Sequence, residues 1–325
     1  MLSRHAESFF WLSRNVERAE TVARVLDVTY TRSMDLHTGG TWEQRSWRAA
    51  LAIGMLGAAP SAAPAPADAT AENVLERCVF DKDNPSSIRA SIAIARTNAI
   101  GLRAELSSEV WEHINQLYLD VQEQSGSSVG ERGPSRFLRV VRDRCQAIAG
   151  VSDATLPHVD GWNFMQLGRF VERASLASRI LATAASFDDP WPEWQRLLEM
   201  CCASFPFARA ATHLQSPPDA AAFILFNPTF PRSVNFCANR IDKALHRLSQ
   251  SSGRAYTDGA EKLAGRLCAA VTFADAADIV ADGLHPFVRA VLTALDSLVG
   301  SIQNVYFPRV PIAVAPLNRT DALAG

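Results

Sequence analysis

Two short charged runs hold the chain's clearest potential for chemistry. Arg14-x-x-Glu17-Arg18 and Arg169-x-x-Glu172-Arg173 each set a glutamate among arginines, and each is followed by one more arginine, Arg24 and Arg179. Arginine's planar fork matches a carboxylate or phosphate through two parallel hydrogen bonds, so these eight residues suit two different roles. As a network they tie helices together. An exposed pair contributes only about 0.2–1 kcal/mol, whereas stripping one partner from a buried network costs about 3–5 kcal/mol because the other charge is stranded. As a site, Glu17 and Glu172 would face a cleft in which a carboxylate or phosphate docks, or would act as acid and base or as cation ligands. Arg14 with Glu17 and Glu20 with Arg24 stand at the i,i+3 and i,i+4 spacings that pair on one helix. Glu17 is also expected to meet Arg173 or Arg169 across a pseudo-two-fold axis. A second and weaker group, Arg89, Arg96, Asn98 and Arg103 beside Ser87, falls on or near one helix and would extend the charged surface.

Other chemistry finds no support. The seven histidines are dispersed, and there is no His-x-x-x-His spacing, glycine-rich phosphate loop, Gly-x-Ser-x-Gly elbow or Cys-His nucleophile pattern. No catalytic residue is therefore assigned, and no metal or cofactor is expected. The six cysteines form no C-x-x-C pair, which predicts buried, reduced thiols. A formal charge of -2 supplies no cationic surplus for nucleic acid. The longest apolar stretches, 49–59 and 220–226, fall well short of the roughly 20 residues that cross a bilayer. The first residues carry charge where a secretory leader is apolar, so a soluble cytoplasmic protein is expected.

The elements that position the two runs repeat as well. At one constant offset, 172 − 17 = 155, eight pairs coincide: Leu12/Leu167, Arg14/Arg169, Val16/Val171, Glu17/Glu172, Arg18/Arg173, Ala19/Ala174, Arg24/Arg179 and Leu26/Leu181. Weaker echoes follow in order. Trp42 and Trp47 answer Trp191 and Trp194, and Asn84-Pro85-Ser86-Ser87-Ile88 answers Phe230-Pro231-Arg232-Ser233-Val234. Asn84 is expected to cap a helix with Pro85 at its first position, where proline's missing N–H costs nothing. Asp189-Pro190 and Gly133-Pro134-Ser135 read as further helix starts. No stretch alternates apolar and polar residues with β-branched enrichment, so no strand is expected.

Leu12, Val16, Ala19, Ala23 and Leu26 form one apolar stripe at helical spacing. Phe10 and Val25 fall on the opposite, charged side, as Met165 and Ile180 do in the second copy, which predicts helices buried on both faces. Trp111 and Ile114 are expected to point inward from an amphipathic helix, and Cys201 and Cys202 to different faces of another. The fold expected is all-α: one domain over 1–325, a helical bundle of two pseudo-repeats, 1–152 and 153–307. A Pro/Ala linker spans 58–70, an exposed loop 122–135 and a tail 308–325.

The ordered combination of these segments resembles the bacterial alpha-E domain family. The resemblance rests on Met1-Leu2-Ser3-Arg4-x-Ala6-Glu7, Glu17-Arg18-Ala19-Glu20, Ala23-Arg24-x-Leu26-Asp27 and Asn84-Pro85-Ser86-Ser87-Ile88. It continues through Ala95-Arg96-x-Asn98-Ala99, Trp111-Glu112-x-Ile114-Asn115, Gly168-Arg169-x-x-Glu172-Arg173 and Ser178-Arg179-Ile180-Leu181. It implies an all-α fold and association with circularly permuted ATP-grasp proteins, transglutaminase-like proteins and sometimes a proteasome-related peptidase. Such neighbours imply ATP-dependent amide or peptide bond formation, or protein tagging. The chain departs from the family pattern at Thr97, Ile100, Gln166, Ser175 and Ala182; all but Ile100, which replaces an arginine, stand where acidic residues are usual. That weakens an enzymatic reading. The expected role is a non-catalytic helical partner or regulator of an ATP-grasp amide ligase. The alternatives are an enzyme of the same pathway using Glu17 and Glu172, or a scaffold without a small-molecule site.

Overall fold

Ser3–Asp35 forms one uninterrupted helix of 33 residues, α1, about 50 Å long at 1.5 Å per residue. It contains no proline or glycine. The stripe from Leu12 to Leu26 is buried, and so are Phe10 and Val25 on the opposite side. A helix apolar on two faces must be covered on both, which places α1 at the centre.

The computed structural model describes residues 1–35, 41–55, 69–124, 126, 133–186, 190–210, 216–250, 256–275, 277 and 283–308. Thirteen α-helices and no strand are found among them. After α1 come α2 (Thr41–Gly54), α3 (Ala71–Leu75, continued by a π turn over Glu76–Phe80), α4 (Ile88–Gly101), α5 (Ser108–Gln122) and α6 (Pro134–Thr155). The second series is α7 (Asp160–Ala182), α8 (Pro190–Met200), α9 (Ser204–Ala210), α10 (Pro217–Phe226), α11 (Val234–Ser249), α12 (Gly259–Thr272) and α13 (Leu284–Tyr306). The fold is all-helical. Most of the Pro/Ala stretch 58–70, the middle of the 122–135 stretch and the tail from 309 lie outside the described residues.

α1 packs on α4 and α6, and α5 touches both of those, closing a four-helix bundle. α7 packs on α11 and α13, with α12 against both, closing a second. The two bundles share one core through α1 and α7, which lie against each other along much of their length. Gly168 permits that approach: a Cβ there would stand 2.2 Å from the Phe10 carbonyl oxygen and 2.2 Å from Ser13 Oγ, too close for any side chain.

Matching turns lead into α4 and α11. Asp81 and Asn227 share a backbone conformation, φ -62°, ψ 116° and φ -63°, ψ 116°. Each accepts, on its side-chain oxygen, the N–H two residues on, Asp83 and Thr229, at 2.9 Å. Ser87 and Ser233 then cap the helices, accepting the N–H of Ala90 and Phe236 at 3.1 and 3.0 Å. Both serine hydroxyls donate back to the turn, to the Asp81 and Asn227 carbonyls. This corrects the expected cap. Asn84 does not open α4; its side chain accepts from Ser86 N–H at 3.0 Å and donates to the Arg77 carbonyl at 2.9 Å, fixing the turn before the helix.

Pro190 and Gly133-Pro134 do start helices, the latter with Gly133 at φ 76°, a backbone region that favours glycine. Cys201 and Cys202 lie just past the end of α8, so they do not share a helix; Cys201 is buried and Cys202, at φ 56°, is half-buried. All six cysteines are free thiols. Ile114 points inward, while Trp111 stays half-buried beneath the Arg103 guanidinium, 4.4 Å from its ring. No described helix is long and apolar enough to cross a membrane.

Candidate functional site

The two Arg-x-x-Glu-Arg runs meet where α1 and α7 pack. They interlock across the helices instead of pairing within them. Arg173 of α7 donates to both oxygens of Glu17 on α1, at 2.6 and 2.8 Å. Arg18 of α1 donates to one oxygen of Glu172 on α7 at 2.6 Å, and Arg14 to the other at 2.8 Å from Nε, with its NH2 at 2.7 Å. The cross-helix partner of Glu17 was anticipated; the Arg14–Glu17 pair within α1 does not form. Packing supplies Arg14 with a carboxylate from another helix that lies 1 % exposed, so the charge-assisted bonds form away from water. The arginines also lie over aromatic rings one turn back, Arg14 at 4.9 Å from Trp11 and Arg173 at 5.4 Å from Phe170.

Burial by itself would raise the pKa of Glu172. Arg18 and Arg14 more than reverse that and hold it at about 2, against an ordinary 4.5. Glu20 behaves likewise. Burial would raise it, but Arg232, Arg24 and Arg173 bring it to about 2. Glu20 pairs with Arg24, as its spacing anticipates, and with Arg232 at 3.0 Å, and accepts from Gln146 Nε2 at 3.2 Å. Arg232 also lies 3.6 Å from Glu17. For Arg232 burial opposes the charge, yet Glu20 and Glu17 raise its pKa above the ordinary value.

The remaining residues of the two runs are less engaged. Arg169 donates only to the Ala149 carbonyl, at a long 3.4 Å, and no carboxylate lies within ion-pair distance among the described residues. Burial lowers its pKa, and Arg173 beside it lowers it further. Arg179 forms no ion pair among the described residues, and its Nε is buried without an acceptor. The secondary group does not join this cluster. Arg89 donates to the Gln124 carbonyl at 2.6 Å, Arg96 to Asn115 at 2.8 Å, and Asn98 to its own helix. With Arg103 over Trp111, three of these four therefore bind α4 to α5 or to its end instead of forming a recognition surface.

Arg232, Gln146 and Asp27 are the members that sequence reasoning missed. Asp27, buried at 7 %, extends the charge ladder of α1 and lies 3.6 Å from Arg142 on α6. Arg232 stands beside the Ser233 cap with no periodic pattern to mark it. One signal was available. Glu20 aligns with Ser175 in the second run, and Arg232 with Ser86 in the matching turn, so the Glu20–Arg232 pair has no charged counterpart at the aligned positions.

A pocket of about 40 Å³ opens beside this cluster, between α1, α6 and α7. Glu17, Glu20, Arg169, Arg173, Arg232 and Gln146 supply its polar wall. Among the described residues no three His, Cys, Asp or Glu side chains converge as a metal ion would need. Chemically, the arrangement presents held, ionised carboxylates and an arginine surplus.

Comparison with known proteins agrees with this architecture. Uncharacterized proteins of Mycobacterium tuberculosis and Mycobacterium bovis are 26 % identical to the chain over 262 residues, covering 75 % of it and 30 % of their own length. The chain thus spans about a third of the length of these relatives. No solved structure matches. The Alpha-E family model, described as a predicted alpha-helical domain with a conserved ER motif, matches residues 1–307. That span takes in both Glu-Arg pairs, Glu17-Arg18 and Glu172-Arg173, and the chain belongs to the Alpha-E family.

Proposed function

We propose that the chain is a non-catalytic helical partner or regulator of an ATP-grasp amide or peptide ligase. The observation that carries the non-catalytic part is the state of Glu172. It is 1 % exposed, both its oxygens are taken by Arg14 and Arg18, and its pKa sits at about 2. A carboxylate so held is a poor base or acid near neutrality, where general catalysis favours a pKa close to the working pH. The ligase as partner, and a transglutaminase-like protein beside it, follow from the family resemblance. The length of the mycobacterial relatives supports a module that works joined to others, since the matching region is only 30 % of each.

In this reading the chain arose by duplication of one multi-helix unit, with 1–152 and 153–307 as the halves of a single domain in the cytoplasm. The constant offset of the charged runs and the matching turns before α4 and α11 support that history. Five residues of the runs, Arg14, Glu17, Arg18, Glu172 and Arg173, then act as a strut between halves.

The test is co-purification with a circularly permuted ATP-grasp protein from the same organism, followed by an ATPase assay. A stable complex with faster ATP turnover is expected. Absence of association at micromolar concentration overturns the proposal, and metal-dependent turnover by the isolated chain would replace it with the enzymatic reading.

A further inference from the structure

Arg14 and Arg169 occupy the same place in the two runs, 155 residues apart, yet their environments differ. Arg14 is neutralised by Glu172 at 2.7 Å. Arg169 would be expected to hold Glu17 in the same way, but Arg173 occupies both oxygens of Glu17 and Arg232 lies 3.6 Å from it. Arg169 is left facing the pocket between α1, α6 and α7 with one long bond to a backbone carbonyl.

The pocket's charge is unbalanced. Arg169, Arg173 and Arg232 line it against Glu17 and Glu20, and Glu20 is further shared with Arg24 outside the wall. The hydroxyls of Ser13 and Ser152, which now donate to their own helices, and the amide of Gln146 complete the polar lining. At about 40 Å³ the space exceeds what a single water requires, roughly 10–15 Å³ on this measure. A cation partly withdrawn from water beside a second cation, as Arg169 is beside Arg173, favours an anion joining it. Where α7, α13 and α1 meet, Phe307 instead packs against Phe10 and Phe164, with ring centroids 5.6 and 5.8 Å apart.

We propose that this pocket binds a small oxyanion, the carboxylate or phosphate head of a small molecule, with Arg169 as its principal ligand and Arg173 and Gln146 beside it. Arg169 has the free fork that two parallel hydrogen bonds to an oxyanion need. The site does not depend on the ligase partnership and is testable on the isolated chain.

The experiment titrates inorganic phosphate and, separately, acetate against the full chain at constant ionic strength, with chloride as the matched salt. Melting temperature and calorimetric heat are read together. The expected result is a saturable rise in melting temperature with one of the two anions and not with chloride; the anion that gives it names the source of the oxyanion. Arg169→Met is expected to bind at least tenfold more weakly while melting, in chloride alone, at or above the parent protein, because a partly buried charge crowded by Arg173 and without an ion pair has been removed. Arg169→Lys, which keeps the charge and loses the fork, should bind with intermediate strength. No saturable shift with either anion overturns the proposal. So does an equal shift in Arg169→Met, or a lower melting temperature of Arg169→Met in chloride with no anion effect in the parent, which would make Arg169 a structural cation.

Discussion

Arg173 reaches from α7 to grip both oxygens of Glu17 on α1, while Arg14 and Arg18 of α1 grip Glu172 of α7. Each of the two central helices thus supplies both the acid and the bases of the joint. The arrangement is reciprocal without being symmetric, because Glu172 takes two arginines from one helix and Glu17 takes Arg173 and the loop residue Arg232. Neither half can move along the other without breaking bonds made by both.

Glu172→Gln is expected to cost about 3–5 kcal/mol, since it strands two arginines that have no other carboxylate within reach among the described residues. Denaturant unfolding of the full chain checks this. An unchanged midpoint would show that the joint carries little stability. Glu17→Gln should destabilise in the same sense.

The pH dependence has a definite sign. Glu172 and Glu20 both have folded pKa values of about 2 against an ordinary 4.5, so between those limits the unfolded chain binds more protons. Their contribution is complete above pH 4.5 and disappears as the pH falls towards 2. Each should lose on the order of 3 kcal/mol across that window at about 1.4 kcal/mol per pH unit. A melting temperature that stays level from pH 5 down to pH 3 would contradict it.

Gly168→Ala tests the close approach of α1 and α7. The added methyl would lie 2.2 Å from the Phe10 carbonyl oxygen, and backbone cannot step aside as a side-chain tip can. Overpacking costs typically about 1–3 kcal/mol, and this site belongs at or above the top of that range. Circular dichroism melting reads the loss.

The helices and their two-sided burial were legible in sequence because α1 carries apolar residues on opposite faces, and only a central helix can cover both. The glutamate–arginine joint was half legible. The constant offset of 155 brought Glu17 towards Arg173, but the spacing of Arg14 and Glu17 suggested a pair within one helix that packing against α7 displaces. The caps were misplaced by three residues, because Asn84-Pro85 looks like a helix start while Ser87 satisfies two groups at once, the Ala90 N–H and the Asp81 carbonyl. Arg232 was invisible to any local pattern. Its role depends on a loop brought against α1 by the second bundle, and periodicity within one element cannot express that.

Those two serines make a prediction of their own. Ser87→Ala and Ser233→Ala each delete an N-cap acceptor and a donor to the preceding turn, at a cost of about 1–2 kcal/mol. The sites lie in different bundles and share no partner, so the double variant should show the sum of the two losses to within about 0.5 kcal/mol. A clear departure from additivity would mean that the two turns communicate through α1 and α7.

Arg232 and Glu20 should behave in the opposite way. Arg232→Ser alone leaves Glu20, a carboxylate that is 2 % exposed, with Arg24 as its remaining ion-pair partner, and leaves Glu17 with Arg173 only. Glu20→Ser alone leaves Arg232 only the 3.6 Å contact with Glu17, which Arg173 already holds, and removes the ion-pair partner of Arg24. Each single change should therefore be strongly destabilising, by about 3–5 kcal/mol. The double change puts serine at both positions, as Ser175 and Ser86 already stand at the aligned positions, and strands no carboxylate. It should cost at least about 1 kcal/mol less than the two single losses added together, a coupling typical of residues in one network. Strict additivity in that cycle would mean that Arg232 acts on Glu17 alone and that its contact with Glu20 contributes nothing.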